Sequence, residues 1–412
     1  MNKIRGWTTT KVIDVALKMK AGGTPDRSNP NYWQGEIPFV LIEDMTGTER
    51  FLIETKEQFS RLGLQSSSAW MVPENSILLS MYATLGKVVI NKIPVATNQA
   101  ILGIIPGKVD RDFLFYLLQF SADRLSKLNS QTTQKNLNKQ IISNFEITYP
   151  VDSAEQRSIA NILTTVDDAI EQTEALICKY QRIKQGLMQD LLTRGVDANG
   201  QLRQLAELAP SLYKQNNEKW IPNEWAIRTI ENLSIYVGSG ITPKGGSEVY
   251  VSEGVMFIRS QNVTFDGLLL DDVAYIEDKI HRSMCRSEIF PFDVLINITG
   301  ASIGRCCVFP DWQGRANVNQ HVCAIRFASP DYYDSNYLSY VLSSWIGQSQ
   351  IDKLNAGGNR QGLNYQQLRS FQIPWPEKNE RKIIVDILKR NDELITIEKN
   401  NQLKILSLKQ GL

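Results

Sequence analysis

The tetrapeptide KQGL occurs twice, at 184–187 and at 409–412, 225 residues apart. The same offset separates EQRSIANIL, from Glu155, and ERKIIVDIL, from Glu380. NLN at 136–138 matches GLN at 362–364 at an offset of 226, TNQA at 97–100 resembles VNQH at 318–321 at 221, and GGTP at 22–25 resembles GITP at 240–243 at 218. The matches keep their order while the offset drifts slowly, as small loop insertions would make it. A period this long excludes a solenoid, whose units run about 20–50 residues. It describes a duplicated unit: about 150 residues of mixed character followed by a helical arm.

Within each block, short apolar runs alternate with Gly, Pro and Asn, which is the pattern of strands and turns. IPFVLI, SILLSM, KVVI and AILGII occupy the first block, and VMFIRS, DVLINI and RCCVFP stand in matching places of the second. One helical patch, DFLFYLLQFSADRLSKL or YLSYVLSSWIGQSQIDKL, accompanies each set. The fold expected is therefore α+β, with β-rich domains over 1–150 and 223–376, helices over 151–196 and 377–412, and a linker over 197–222. In the arms, apolar residues step by three and four. Ile159, Ile162, Val166, Leu176, Tyr180, Ile183 and Leu187 form one predicted seam, and Ile384, Ile387, Asn391, Leu394, Asn401, Ile405 and Leu408 the other. A 3.5-residue step is the mark of a coiled coil, and a polar seam residue such as Asn391 fixes register at some cost in stability.

Composition narrows the function. The 45 basic and 44 acidic residues nearly cancel, so any binding of nucleic acid must rest on local placement or on positive charge from a partner. The first 150 residues carry 17 Lys and Arg against 13 Asp and Glu, and residues 223–375 carry 12 against 15. No apolar run is long enough to span a bilayer, and the first residues lack the apolar core of a signal peptide. Five cysteines at irregular spacing suit reduced thiols and a cytoplasmic location.

Catalytic patterns are weak. NPNYW at 29–33 resembles the (D/N)PPY box of amino-methyltransferases, where the Asn and a Pro carbonyl hold the target amine and the aromatic ring stacks on a flipped base. Here Asn31 replaces the second Pro. YVGSG at 236–240 looks like a glycine-rich cofactor turn, but its repeat counterpart MKAGG does not. Cys306, Cys307, His321 and Cys323 fit no structural zinc spacing. Neither a Walker A motif nor HExxH occurs. No catalytic residue and no metal ligand is assigned. A DNA adenine methyltransferase, or a single-chain restriction-modification enzyme, stands as the alternative; it requires the cofactor motif and an intact box.

Polar loops carry more. The loop after GGTP offers Thr24, Arg27, Asn31 and Tyr32, and its counterpart after GITP offers Thr242 and Lys244. SMYATLGKVV holds Tyr82, Thr84 and Lys87, matched in NITGASIGRCC by Thr299, Ser302 and Arg305. Arg259 and Asn262 follow the VMFI run. NSQTTQKNLN contributes Gln131, Thr133, Gln134, Lys135, Asn136 and Asn138, and NAGGNRQGLN contributes Asn359, Arg360, Gln361 and Asn364. Asn and Gln pair bidentately with adenine edges, and Arg or Lys with guanine. Small residues flanking a single cation suit close approach to a phosphate. These are the candidate DNA contacts.

Together the set GGTPDRSNPNYWQGEIPFV, ATLGKVVI, ATNQA, the two EQR and ERK helix starts and KQGLMQDLL resembles the specificity subunits of type I restriction-modification systems, over essentially the whole chain. The resemblance implies two target recognition domains, each reading one half of a split, asymmetric site in double-stranded DNA. It implies two long helices paired antiparallel as a pseudo-two-fold spacer between them. It implies two modification subunits that carry S-adenosylmethionine and methylate the N6 of adenine. It also implies restriction subunits that use ATP and Mg to translocate and cleave. No cofactor is then expected in this chain. One departure stands out: the first copy continues past KQGL into MQDLLTRG, and the second stops at KQGL.

Overall fold

The computed structural model describes residues 5–129, 137–216, 219–311, 314–355 and 362–411. The chain divides into two compact units, residues 1–171 with 405–412 and residues 172–404.

In the first unit the run Ile77–Ser80 is buried at every position. It can be, because it lies inside a five-stranded sheet ordered Ala16–Ala21, Ile101–Pro106, Ile77–Ser80, Val88–Asn91, Phe51–Leu52. A strand covered on both faces calls for a continuous apolar run. On one face Ile77, Leu79, Val88 and Ile90 pack with Phe113, Leu114, Phe115 and Leu118. On the other, Leu78 and Val89 meet Val40, Met45 and Trp70. The helix Arg111–Phe120 starts where the Asp110 carboxylate accepts the amides of Asp112 and Phe113 at 3.0 and 3.1 Å. A three-stranded sheet joins Glu57–Phe59, Ile37–Val40 and Ala96–Thr97, and Trp7–Lys11 pairs antiparallel with Glu146–Pro150.

The second unit repeats this plan. Ser234–Ser239, Val322–Phe327, Val294–Asn297 and Cys306–Val308 form a four-stranded sheet in that order, and Ala274–Ile276, Val255–Ile258, Ala316–Val318 and Glu288–Ile289 form another. Ala226–Thr229 pairs with Gln372–Trp375 as Trp7–Lys11 pairs with Glu146–Pro150. Each predicted helical patch is two helices rather than one: Arg111–Phe120 with Ala122–Asn129, and Tyr332–Ser343 with Trp345–Asn355. A serine, Ser121 or Ser344, sits at the break. The stretch 197–222 is not a plain linker: it holds a hairpin of Tyr213–Asn216 and Lys219–Pro222.

The long helices run Ser153–Leu191 and Lys378–Gly411. Within the second unit they pair antiparallel: Glu174 accepts from Gln402 at 2.9 Å, the Tyr180 carbonyl from Asn391 at 3.1 Å, and Lys184 bonds Asp392 at 2.6 Å. The repeated KQGL now has a structural meaning. Lys184 and the Tyr340 hydroxyl both reach Asp392, while Lys409 and the Tyr116 hydroxyl both reach Asp167. Each KQGL lysine thus serves the aspartate of the other copy's helix. Burial, with the carboxylate beside them, pushes both phenols above their ordinary range.

The seam needs correction. Val166, Ile384 and Asn391 are buried as expected, but Ile162 is 54% exposed and Leu408 56%, and Leu176, Ile183 and Leu394 are exposed as well. The buried line in fact runs through Gln156, Ala160, Thr173 and Ile177, and through Arg381, Leu388 and Ile395. Polar residues with bonded partners occupy several of these places. Elsewhere two apolar residues stand side by side, Leu176 with Ile177, Ile387 with Leu388 and Leu394 with Ile395, so a search for apolar letters slides one residue, onto the flanking face.

Glu380 closes the second unit. Its carboxylate accepts from the Trp225 indole at 3.0 Å and the Val196 amide at 2.9 Å, and it forms an ion pair with Arg203. Its repeat partner, Glu155, accepts from the Trp7 indole at 3.1 Å in an exposed setting. Glu380→Ala leaves the largely buried Arg203 guanidinium only the exposed Glu224 carboxylate, at 3.2 Å, strands the Trp225 and Val196 donors, and is expected to cost about 3–5 kcal/mol. Glu155→Ala should cost about 1 kcal/mol. Urea unfolding, followed by hydrogen exchange in each unit, measures both; equal losses would contradict the assignment.

Candidate nucleic-acid interface

Four stretches of each unit meet along one backbone thread. In the first, the Gly23 amide donates to the Thr97 carbonyl at 2.9 Å, the Met81 amide to Ala100 at 2.8 Å, and the Leu137 amide to Met81 at 3.1 Å. In the second, Gly240 donates to Asn319 at 3.1 Å, Ile298 to His321 at 2.9 Å, and Leu363 to Ile298 at 2.8 Å. The loops singled out by sequence are therefore neighbours, and the arrangement is built twice. Side chains repeat it. The Thr24 hydroxyl donates to Gln99 at 2.7 Å, and that of Thr242 donates to Gln320. Asn98 and Asn319 each accept the amide two residues on, at 2.9 and 3.1 Å. The leading glycine is dictated by contact: a Cβ at Gly22 would stand 1.9 Å from the Thr97 carbonyl oxygen, and one at Gly240 would stand 1.6 Å from that of Val318.

Beside this thread a tight turn presents one cation. Gly86 and Gly304 take φ of +79° and +85°, a region that costs an L side chain energy. Their amides donate to Ser80 and Asn297 at 3.0 and 2.9 Å, and the amides of Lys87 and Arg305 donate to Thr84 and Ser302 at 3.1 Å each. Among the described residues the side chains of Lys87, Arg305 and Lys244 make no ion pair or hydrogen bond. Tyr82 and Thr84 are exposed on the same turn. Thr299 pairs with His321 Nδ1.

Other candidates are spoken for. Arg27 bonds Glu57 at 2.7 Å and lies 4.0 Å over the Trp33 ring. Arg259 is held by Asp272. Asn262 is buried, accepting from the Arg259 amide and donating to the Leu269 carbonyl, both at 2.9 Å, so it shapes a turn rather than facing a ligand. Asn138 and Asn364 cap short helices, accepting the amides of Ile141 and Gln367 at 2.9 and 2.8 Å. Ser302 accepts from Asn297 at 3.1 Å. Asn31 and Tyr32 sit in a single 3-10 turn, Pro30–Tyr32, whose carbonyls accept from the Ser60 hydroxyl and amide at 2.7 and 2.8 Å. NPNYW is thus a fold element: its Asn29 caps that turn and its Trp33 packs on Phe39 and Phe59. Gln131, Thr133, Gln134, Lys135, Asn136, Asn359, Arg360 and Gln361 lie outside the described residues.

Gln99, Gln320 and His321 lie on the same loop thread and are further candidates that the sequence reading did not single out. Their signal was present, in the repeated NQ of TNQA and VNQH. His321 stands in the turn before Val322–Phe327, not on the strand. Cys306 and Cys323 are buried, and burial pushes their thiols up to about 11 and about 12. No helix is long and apolar enough to cross a membrane among the described residues.

Comparison with known proteins bears on this geometry. A family model described as the type I restriction modification DNA specificity domain matches residues 4–178 and again 222–407. The chain is similar to the type I restriction enzyme MjaVIII specificity subunit of Methanocaldococcus jannaschii, 23% identical over 393 residues, spanning 92% of this chain and 88% of that protein. It is 30% identical over 151 residues to the type I restriction enzyme HindI specificity subunit of Haemophilus influenzae, spanning 35% of this chain and 32% of that one. Its fold resembles the crystal structure of the type I restriction-modification system S subunit from M. genitalium, with a TM-score of 0.62 and 14% identity over 100% of this chain and 96% of that one.

Proposed function

This chain belongs to the type I restriction-modification DNA specificity family, and on that premise we propose that each of its repeated blocks reads one half of a split site in double-stranded DNA. A specificity subunit is not itself catalytic. In this reading the paired helices set the distance between the half-sites. Two modification subunits dock on the chain and bring S-adenosylmethionine to the N6 of an adenine. Restriction subunits supply ATP- and Mg-dependent translocation and cleavage. The observation that carries the reading is the loop thread, built once in each unit, with a cation on the turn beside it that has no ion-pair partner among the described residues. Gln and Asn at such a rim suit base edges, and Lys87 and Arg305 suit phosphates. A net charge of +1 fits a chain whose partners share the phosphate neutralisation.

Binding of labelled DNA by the chain with its modification subunit tests this. Lys87→Ala and Arg305→Ala should each weaken binding to every sequence alike and flatten the slope of log affinity against log salt by about one. Unchanged slopes would remove both residues from the interface. The chain alone should transfer no methyl group from S-adenosylmethionine to DNA, and detectable transfer would contradict the reading.

A further inference from the structure

The second unit carries a row of hydrogen bonds across its loop thread that the first unit lacks. Thr242 donates to Gln320 Oε1, the Gln320 amide nitrogen lies 3.1 Å from His321 Nε2, and His321 Nδ1 meets the Thr299 hydroxyl. Thr242 and Gln320 are exposed, while His321 and Thr299 are half-buried. In the first unit the matching glutamine, Gln99, is also exposed and also held by a threonine, Thr24. There Ala100 stands in the place of His321. Among the described residues the Gln99 amide nitrogen has no bonded partner.

This difference decides how each glutamine faces a ligand. The two ends of a glutamine amide have the same shape and opposite chemistry: the oxygen only accepts and the nitrogen only donates. A threonine hydroxyl does both, so Thr24 satisfies either end of Gln99. An imidazole nitrogen is stricter. The amide nitrogen of Gln320 donates, so the Nε2 it meets carries no proton, and the proton of the neutral ring sits on Nδ1. Nδ1 then donates to the Thr299 oxygen, and the hydroxyl proton of Thr299 is left to point away from the row. Turning the Gln320 amide over would require the ring proton to change nitrogen and both hydroxyls to turn with it. The four groups therefore switch together or not at all. In the sense described, Gln320 keeps one N–H and one oxygen lone pair for a ligand.

We propose that His321 is a positioning residue for base recognition: it fixes the sense in which Gln320 offers donor and acceptor to a base edge, and it makes the Thr299 hydroxyl a donor toward the DNA. The edge that suits Gln320 has an acceptor beside a donor, as adenine has in N7 and N6. The proposal rests on the reading of each unit as the reader of one half-site and adds a difference between the halves. The base met by Gln320 is read in one sense only, and the base met by Gln99 is held less strictly.

Two measurements test it. The first contains no DNA: NMR of the ring nitrogens in the full chain, with histidine isotopically labelled, at mildly alkaline pH. The chain has two histidines, and the signals lost in His321→Gln identify His321. Its Nδ1 should be protonated and its Nε2 not, and Gln320→Ala or Thr299→Val should each raise the share with the proton on Nε2. A proton on Nε2 in the unaltered chain would overturn the proposal. The second is competition binding with single-base variants of the site, using the chain with its modification subunit. His321→Ala should reduce discrimination at the base met by Gln320 about tenfold, the worth of one oriented hydrogen bond. Discrimination in the other half-site and the salt slope should not change. His321→Gln, whose amide reaches the place of Nε2, should keep most of the discrimination, and His321→Asn, which reaches only the place of Nδ1, should lose it. Full discrimination in His321→Ala, where Gln320→Ala relaxes it, would overturn the proposal and leave half-site reading standing, as would equal behaviour of the Gln and Asn variants. A complex with no base preference at all would overturn both.

Discussion

Inserting seven residues after Glu171 and seven after Lys404 should lengthen the gap between the two halves of the DNA site by about three base pairs. Seven residues advance a helix about 10 Å at 1.5 Å each, and each base pair of B-DNA occupies about 3.4 Å. Glu174 pairs with Gln402, so the two insertions fall at one level of the pair. Asp167 with Lys409, and Asp392 with Lys184, each stay on their own side of the insertion. A whole heptad keeps the seam in phase, whereas four residues in each helix misphase it and should impair folding. Selection of preferred sites from randomised DNA reads the result: both half-sites unchanged, the gap longer. An unchanged gap at full activity would mean that something other than these helices sets the distance.

Gln320→Ala should relax recognition at a position in one half-site only, by about 1–3 kcal/mol, or roughly 5- to 150-fold, which is the worth of a bidentate base contact. Gln99→Ala should do the same in the other half. The two glutamines hold equivalent places, each accepting from a threonine of the GGTP-type turn. Competition binding with single-base variants of the site measures this. Loss spread evenly over both halves by either substitution would refute modular reading.

Much of the fold was legible because the duplication doubled weak signals. Strand runs such as Ile77–Ser80 and Val294–Asn297 are buried at every position and apolar at all but the last, and their matching positions marked them twice. The loop clusters were legible for the same reason. Individual side chains were not. Asn138, Asn262 and Asn364 read as polar contacts but are bonded to nearby backbone amides and carbonyls, and Asn is favoured at turns and caps for that chemistry. Arg27 and Arg259 carry the charge of a phosphate contact, but long-range partners, Glu57 and Asp272, hold them. The helix seam misled in the opposite sense. Gln156, Thr173 and Asn391 are buried polar residues, while the apolar Ile162, Leu176 and Leu394 on the same helices are exposed.

The central claim is that each unit reads one half-site. The most direct measurement is the DNA methylation motif in cells that carry this chain with its modification subunit, compared with a chain in which residues 1–150 also replace residues 223–376. The account predicts an asymmetric, split motif for the first. For the second it predicts a symmetric motif of the same gap, in which one half is kept and repeated. A contiguous motif in the first case, or the same motif in both, would contradict it.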